Sequence, residues 1–310
     1  MYDVIIIGGG AAAMSAAIYS TRREMRTLII AKDFGGQLLW ASVIENYPGY
    51  QSIPASELIE KFTEQARHLG AEIKLAEVKE IKKADDTFEI STANEKFTAK
   101  TVVVAIGAAH RQLNVPGEKE LNGRGVAYCA NCDGPLFRAK TVAVVGGGNS
   151  ALDAAVLLSK IATKVYIVHQ FETFQAFEAL QKKAAEAANI EEIFLARVEA
   201  VTGEKKVTGI KVRNLQDEST REIAVDGVFV EVGFEVKTDL VKDLVATNER
   251  HEIIVNEKME TSLPGMFSAG DCTDGPFKQV VIAAGNGSIA ALSAYQYLQM
   301  KEASNKKMPE

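Results

Sequence analysis

Cys129-Ala130-Asn131-Cys132-Asp133 is the segment of this chain best equipped for chemistry. Two residues between cysteines allow a small-ring disulfide. A helix N-terminus at that point would lower a thiol pKa and make it nucleophilic. Zinc is the rival use of such a pair. It needs about four ligands, and the sequence offers no second CxxC and no histidine pair. His68, His110, His169 and His251 are scattered and read as surface or structural residues. The pair therefore reads as redox-active, with no metal. Cys272 reads as a small buried residue.

A second chemistry is written twice. Asp3 opens DVIIIGGGAAAMSAAIYS and Thr141 opens TVAVVGGGNSALDAAVLLS. Each has a β-branched apolar run, three glycines and an alanine-rich segment with helical spacing. Each closes with a further apolar run, Thr27 to Ile30 and Val165 to Val168. This is strand–glycine turn–helix–strand, the start of a parallel βαβ unit. Gly8 and Gly146 suit the tight turn. Gly10 and Gly148 let the backbone approach a pyrophosphate, and Ala13 and Ala151 let the helix lie close to the strand. The helix N-terminus then favours phosphate. The other reading is a pair of glycine-rich turns without a ligand.

The remaining pattern supplies elements to position these groups. Pro54 to Leu69 predicts an amphipathic helix stopped by Gly70. Thr101 to Ile106 predicts a buried parallel strand, and Val225–Val232 and Gly265–Ala269 are further strand candidates. A chain of 310 residues holds two ordinary domains. Net charge −6 argues against a general nucleic-acid binder. Three cysteines fit a reducing cytoplasm rather than a disulfide-stapled secreted fold. No basic segment precedes the first apolar run, so no signal peptide is read. The uncharged stretch Gln279–Met300 is diluted by glycine and alanine and reads as a packed helix rather than a membrane span.

Together these residues resemble the low-molecular-weight thioredoxin reductases over nearly the whole chain. The resemblance includes the first glycine motif, Gly35-Gly36-Gln37-Leu38, Glu45-Asn46-Tyr47-Pro48-Gly49 and Val115-Pro116-Gly117-Glu118. It continues through CxxC-Asp, the second glycine motif, Ala269-Gly270-Asp271 and Lys278-Gln279-Val280. It implies an α/β chain with two Rossmann-like domains of the three-layer ββα, glutathione-reductase type, the second inserted in the first. The FAD-binding domain would be residues 1–113 and 239–310. A pyridine-nucleotide-type domain carrying the CxxC would be 114–238. A homodimer and a thioredoxin or thioredoxin-like partner are also implied.

By that resemblance Gly8, Gly9, Gly10 and Ala13 hold the FAD pyrophosphate. Gly35, Gly36, Gln37, Leu38, Asn46 and Gly107 lie with the cofactor, and Val78 meets the adenine through its backbone. Asp271 contacts the ribityl or pyrophosphate region. Lys278, Gln279 and Val280 approach the isoalloxazine, with Lys278 standing where the family has arginine. Cys132 is implied as the flavin-side thiol and Cys129 as the thiol that attacks the substrate disulfide. Asp133 is implied as general acid/base, with a helix cap as its alternative role.

One stretch departs from the family. Its NADPH site follows the second strand with His-Arg-Arg and a further Arg four residues later. Here the sequence is His169-Gln170-Phe171-Glu172-Thr173-Phe174-Gln175. Losing a charged hydrogen bond costs roughly 1.5–3 kcal/mol, so three losses disfavour NADPH by orders of magnitude. NADH remains possible, with Gln170 at the strand end and Glu172 nearby. Ferredoxin or another flavin or deazaflavin donor is the other possibility, and a second fold that binds nothing is the third. Phe171, Phe174 and Phe177 read as core, or as filling the space of a nucleotide. Beside a thioredoxin reductase stand two further readings: the reductase of a peroxide-scavenging system, and an FAD redox module without turnover.

Overall fold

The structure is a computed structural model describing residues 1–40 and 43–306. The chain opens with β1, Tyr2–Ile7, whose last four residues are buried. All four are β-branched, which suits a strand covered on both faces. A Cβ on Gly8 (φ +129°) would stand 2.0 Å from the Ala105 carbonyl oxygen, so glycine alone makes this turn. Helix α1, Ala11–Thr21, and β2, Thr27–Ala31, complete the first βαβ unit. Helix α2, Ala55–His68, buries Leu58, Ile59, Thr63 and Ala66 on one face and ends before Gly70. Then come β3 (Glu72–Leu75), β4 (Val78–Ala84), β5 (Thr87–Thr92) and β6 (Lys96–Val104).

The middle of the chain repeats the plan. Strand β7 is Val126–Ala127 and α3 is the single turn Ala130–Asp133. The second glycine motif joins β8, Thr141–Val145, to α4, Asn149–Ser159, and leads to β9, Lys164–Val168. Helix α5 is Glu178–Glu186, and β10 is Ile190–Ile193. An antiparallel meander follows: β11 (Ala196–Thr202), β12 (Gly209–Asn214) and β13 (Thr220–Ala224). Strand β14, Gly227–Val230, returns to the main sheet. The last elements are β15, Met266–Ser268, and α6, Val280–Lys306.

Two compact units result. Met1–Leu39, Tyr47–Ala109 and Glu235–Glu310 form the first; Trp40–Asn46 and His110–Phe234 form the second. The first unit's sheet runs β3-β2-β1-β6-β5-β4, with β15 also on β6. Strands β1, β2, β3, β6 and β15 are parallel. Alternation along β1 splits the core: Val4 and Ile6 face α1 and α6, while Ile5 and Ile7 join Phe88, Ile90 and Val241 on the other face. The second unit has an all-parallel sheet, β7-β14-β8-β9-β10. Its two faces pack on the meander and on α4.

The α/β class and the paired nucleotide-type folds agree with the sequence reading. Of the stretch Gln279–Met300, all but Gln279 lies in α6, packed against α1. A Cβ on Gly287 would come within 2.0 Å of the Ala12 carbonyl oxygen. Among the described residues no helix is long and apolar enough to cross a membrane.

Candidate functional site

Cys129 and Cys132 are joined by a disulfide with Cα atoms 5.3 Å apart. Cys129 sits in extended backbone just before α3. Its carbonyl accepts the N–H groups of Cys132 at 3.2 Å and Asp133 at 3.0 Å, so both sulfurs ride on one turn. Both cysteines are half-buried. The turn is anchored through its neighbour Tyr128, whose hydroxyl donates to Glu118 at 2.9 Å. Glu118 is fully buried, and its carboxylate also accepts the N–H groups of Leu113 at 2.8 Å and Asn114 at 2.7 Å. Three donors compensate the burial of that charge.

Two carboxyl groups adjoin the cysteine turn. Burial pushes Asp133 up to about 6. Glu231, just past β14, is pushed up to about 8 by burial, opposed by a hydrogen bond from the Ala130 N–H. Both therefore hold or exchange protons near neutrality. His110, 5.3 Å from the Tyr128 ring, is driven down to about 4 by burial and stays neutral.

The first glycine turn gathers most of the residues assigned to FAD. Gly35 N–H donates to the Gly9 carbonyl at 2.9 Å, and Gly36 N–H to Asp33 Oδ1 at 3.1 Å. Gln37 Nε2 donates to Asp271 Oδ2 at 2.8 Å. Burial raises Asp271 to about 6, against the pull of Lys278 and the Gln37 bond. Leu38 is buried and donates its N–H to Gly35. Gly107 follows β6, Val78 opens β4, and Gln279 and Val280 stand at the start of α6. The ammonium of Lys278 lies 3.1 Å from Glu252 and donates to the Thr273 carbonyl. Asn46 belongs to the Trp40–Asn46 segment of the second unit.

These residues fit a dinucleotide. Gly10 is extended, has no side chain capping α1, and leaves its Cβ direction open until the Gly35 oxygen at 4.0 Å. Ala13 is fully buried, which lets the helix close on the sheet. Free N–H groups beside open space are what a pyrophosphate needs. Cys272 is fully buried, its sulfur 3.4 Å from Ser268 Oγ.

The second glycine turn has the same build. A Cβ on Gly146 would stand 2.3 Å from the Glu231 carbonyl oxygen, while none of the protein lies within 4 Å of one on Gly148. Gln175 N–H donates to the Gly147 carbonyl at 2.8 Å, and Phe177 N–H to Asn149 Oδ1 at 2.8 Å. The core reading of the three phenylalanines holds for Phe174 alone. Phe171 and Phe177 are 51% and 71% exposed, because the segment lies on the rim of the turn. Gln170 is exposed, and its side-chain oxygen accepts Arg197 Nη2 at 3.0 Å.

Four contributors escaped the sequence reading. Asp33 carried a signal, an acid about twenty residues past a glycine motif. Glu118 stood inside a quoted motif without a role. Glu231 and Arg197 carried none, since each reaches its place through chain pairing.

Residues 2–287 match the family model for pyridine nucleotide-disulphide oxidoreductases. A thioredoxin reductase of Treponema pallidum is 41% identical, covering 96% of this chain and 97% of that protein. An alkyl hydroperoxide reductase component of Pseudomonas putida is 40% identical, covering 96% of this chain and 58% of that protein. The crystal structure of the Streptococcus pyogenes thioredoxin reductase superposes with TM-score 0.91 at 38% identity, covering 97% and 99% of the two chains.

Proposed function

This chain belongs to the pyridine nucleotide-disulphide oxidoreductase family, and on that premise we propose that it reduces thioredoxin or a thioredoxin-like protein through Cys132 and Cys129. Near-full-length similarity to thioredoxin reductases makes it a flavoprotein disulfide oxidoreductase of that type. The observation that carries the partner assignment is the Cys129–Cys132 disulfide on a half-buried turn beside an acid whose carboxyl burial raises to about 6.

Bound FAD would supply two electrons to the Cys129–Cys132 disulfide; Gly8, Gly9, Gly10, Ala13, Gly36, Gln37 and Asp271 are the residues proposed to hold it. The reduced pair then works by exchange. Cys129 thiolate attacks a sulfur of the substrate disulfide, forming one S–S bond and expelling one thiolate. Asp133 gives that thiolate its proton. Cys132 thiolate attacks Cys129, restoring the internal disulfide and releasing the second substrate thiolate. Asp133 and Glu231, with carboxyls raised by burial, are the groups proposed to return protons when the pair is reduced again. Cys129→Ser and Cys132→Ser variants are expected to retain flavin and lose thioredoxin reduction. Either variant working at full rate would refute the scheme.

For the donor, we favour NADH, ferredoxin or a flavin-type carrier over NADPH, because the second fold keeps its glycine turn without the family's three arginines. Anaerobic titration with NADPH, NADH and reduced ferredoxin, following flavin bleaching, tests this; rapid bleaching by micromolar NADPH overturns it. The alkyl hydroperoxide reductase relative supports a second reading, in which a small carrier of a peroxide-scavenging system is the disulfide substrate. Comparing rates on thioredoxin and on a glutaredoxin-like carrier separates the two. We also propose a homodimer, to be checked by sedimentation.

A further inference from the structure

We propose that Tyr128 is a positioning residue that sets the reduction potential of the Cys129–Cys132 pair and makes the reduced pair a stronger reductant. This deepens the reading of the pair as redox-active and rests on it. Tyr128 is the single residue between the end of β7 at Ala127 and Cys129. Ala127 is held in the sheet opposite Phe229. On the other side, the Cys129 carbonyl accepts the N–H groups of Cys132 and Asp133, which ties Cys129 to α3. Between these two fixtures the Cys129 backbone is extended, at φ −146° and ψ 102°. Tyr128 is the joint at which that backbone is either free or fixed.

The side chain fixes it. The Tyr128 ring is buried 5.3 Å from the ring of His110, which lies 4.5 Å from the ring of Phe234. The hydroxyl donates to Glu118 Oε1 at 2.9 Å. Glu118 is itself immobilised, being fully buried and bonded to the N–H groups of Leu113 and Asn114. The loop that carries it is fastened to β11. Val201 N–H donates to the Pro116 carbonyl at 2.9 Å, and a Cβ on Gly117 would stand 1.9 Å from the Val201 carbonyl oxygen. Asn114 turns this loop at φ +58°, a conformation asparagine tolerates. Burial, reinforced by Glu118, raises the Tyr128 hydroxyl above its ordinary range and keeps it a donor. A continuous chain of contacts therefore runs from the meander to the residue before Cys129.

An internal disulfide is favoured by the effective concentration of its two thiols. Ordering the backbone of one residue in advance is worth about tenfold in such a closure. The Tyr128–Glu118 bond supplies that order before the S–S bond forms. Reduction breaks the S–S bond with two electrons and two protons, and a pair that closes more readily gives those electrons up more readily. For this two-electron couple, tenfold is about 30 mV. Linkage makes the effect reciprocal, so the closed disulfide holds the Glu118 loop in place by the same factor.

The test is anaerobic equilibration of the holoprotein with mixtures of reduced and oxidised dithiothreitol, reading free thiols by alkylation and mass. Each reduced dithiothreitol gives two electrons and two protons to the pair and becomes a cyclic disulfide. Tyr128→Phe keeps the ring and removes the hydroxyl; its midpoint should rise by about 30 mV, a tenfold weaker disulfide. Val212→Ala, a core truncation in β12, is the control, expected to melt lower with its midpoint unchanged. In the wild type, the Leu113 and Asn114 N–H groups should exchange with solvent about tenfold faster when the pair is reduced, with β9 unaffected. Tyr128→Phe should abolish that difference. An unchanged midpoint in Tyr128→Phe overturns the inference alone. If that variant does not fold, equal exchange of Leu113 and Asn114 in the two redox states of the wild type overturns it. If dithiothreitol cannot open the wild-type pair, the inference falls together with the redox reading.

Discussion

Asp133 is where protonation meets chemistry. Its carboxyl is raised to about 6 by burial beside the cysteine turn. An acid with that pKa loses its proton as pH rises through 6, so the step it assists should slow across pH 6–8. Asp133→Asn should lower thioredoxin reduction by about 10² or more and flatten this limb, measured in steady-state pH profiles. The stability effect has a fixed sign. A carboxyl whose folded pKa lies above its unfolded value stabilises below about pH 4 and loses that contribution as pH rises through about 6. Asp133→Asn should therefore melt higher than wild type at pH 8 and show no such gain at pH 4. An equal shift at both pH values would remove the burial argument.

At the scale of elements, the contact of α1 with α6 makes the sharpest demand. Gly287→Ala should gain up to about 1 kcal/mol of helix propensity. Its new methyl, however, meets the Ala12 carbonyl oxygen at 2.0 Å, and a backbone atom cannot swing aside. Overpacking of this kind costs about 1–3 kcal/mol, so the net effect is destabilising. A lower melting temperature and loss of flavin on gel filtration are expected. A stabilised variant would mean that the two helices separate freely. Local elements were legible in the sequence because their signals are local. The glycine turns, the CxxC and the stop at Gly70 all sit within a few residues of what they control. The strand expected at Val225–Val232 is Gly227–Val230 because register with β8 ends it. Gln37 with Asp271, Ala130 with Glu231 and Gln170 with Arg197 were not legible as pairs. Spacing along a chain says nothing about which distant residues a sheet will bring together.

For the whole molecule, two cores imply two separable stabilities. A ligand present at a hundred times its Kd stabilises what binds it by about 2.7 kcal/mol. FAD added to the apoprotein should slow hydrogen exchange in β1, β2 and β6 by about that amount and leave β8 and β9 unchanged. Equal protection in both sheets would place the cofactor's influence outside the first unit. The strand order of the first sheet also bears on how the protein is made. Strand β15 and α6 complete the first unit, yet the ribosome delivers them after all of residues 110–234. At about 5–20 residues per second, several seconds separate the two events. The second unit has every strand it needs while the alanine face of α1 still waits for its cover. A nascent chain whose first 240 residues have left the ribosome should thus display a finished redox turn on a half-built neighbour, a species for chaperones to shield.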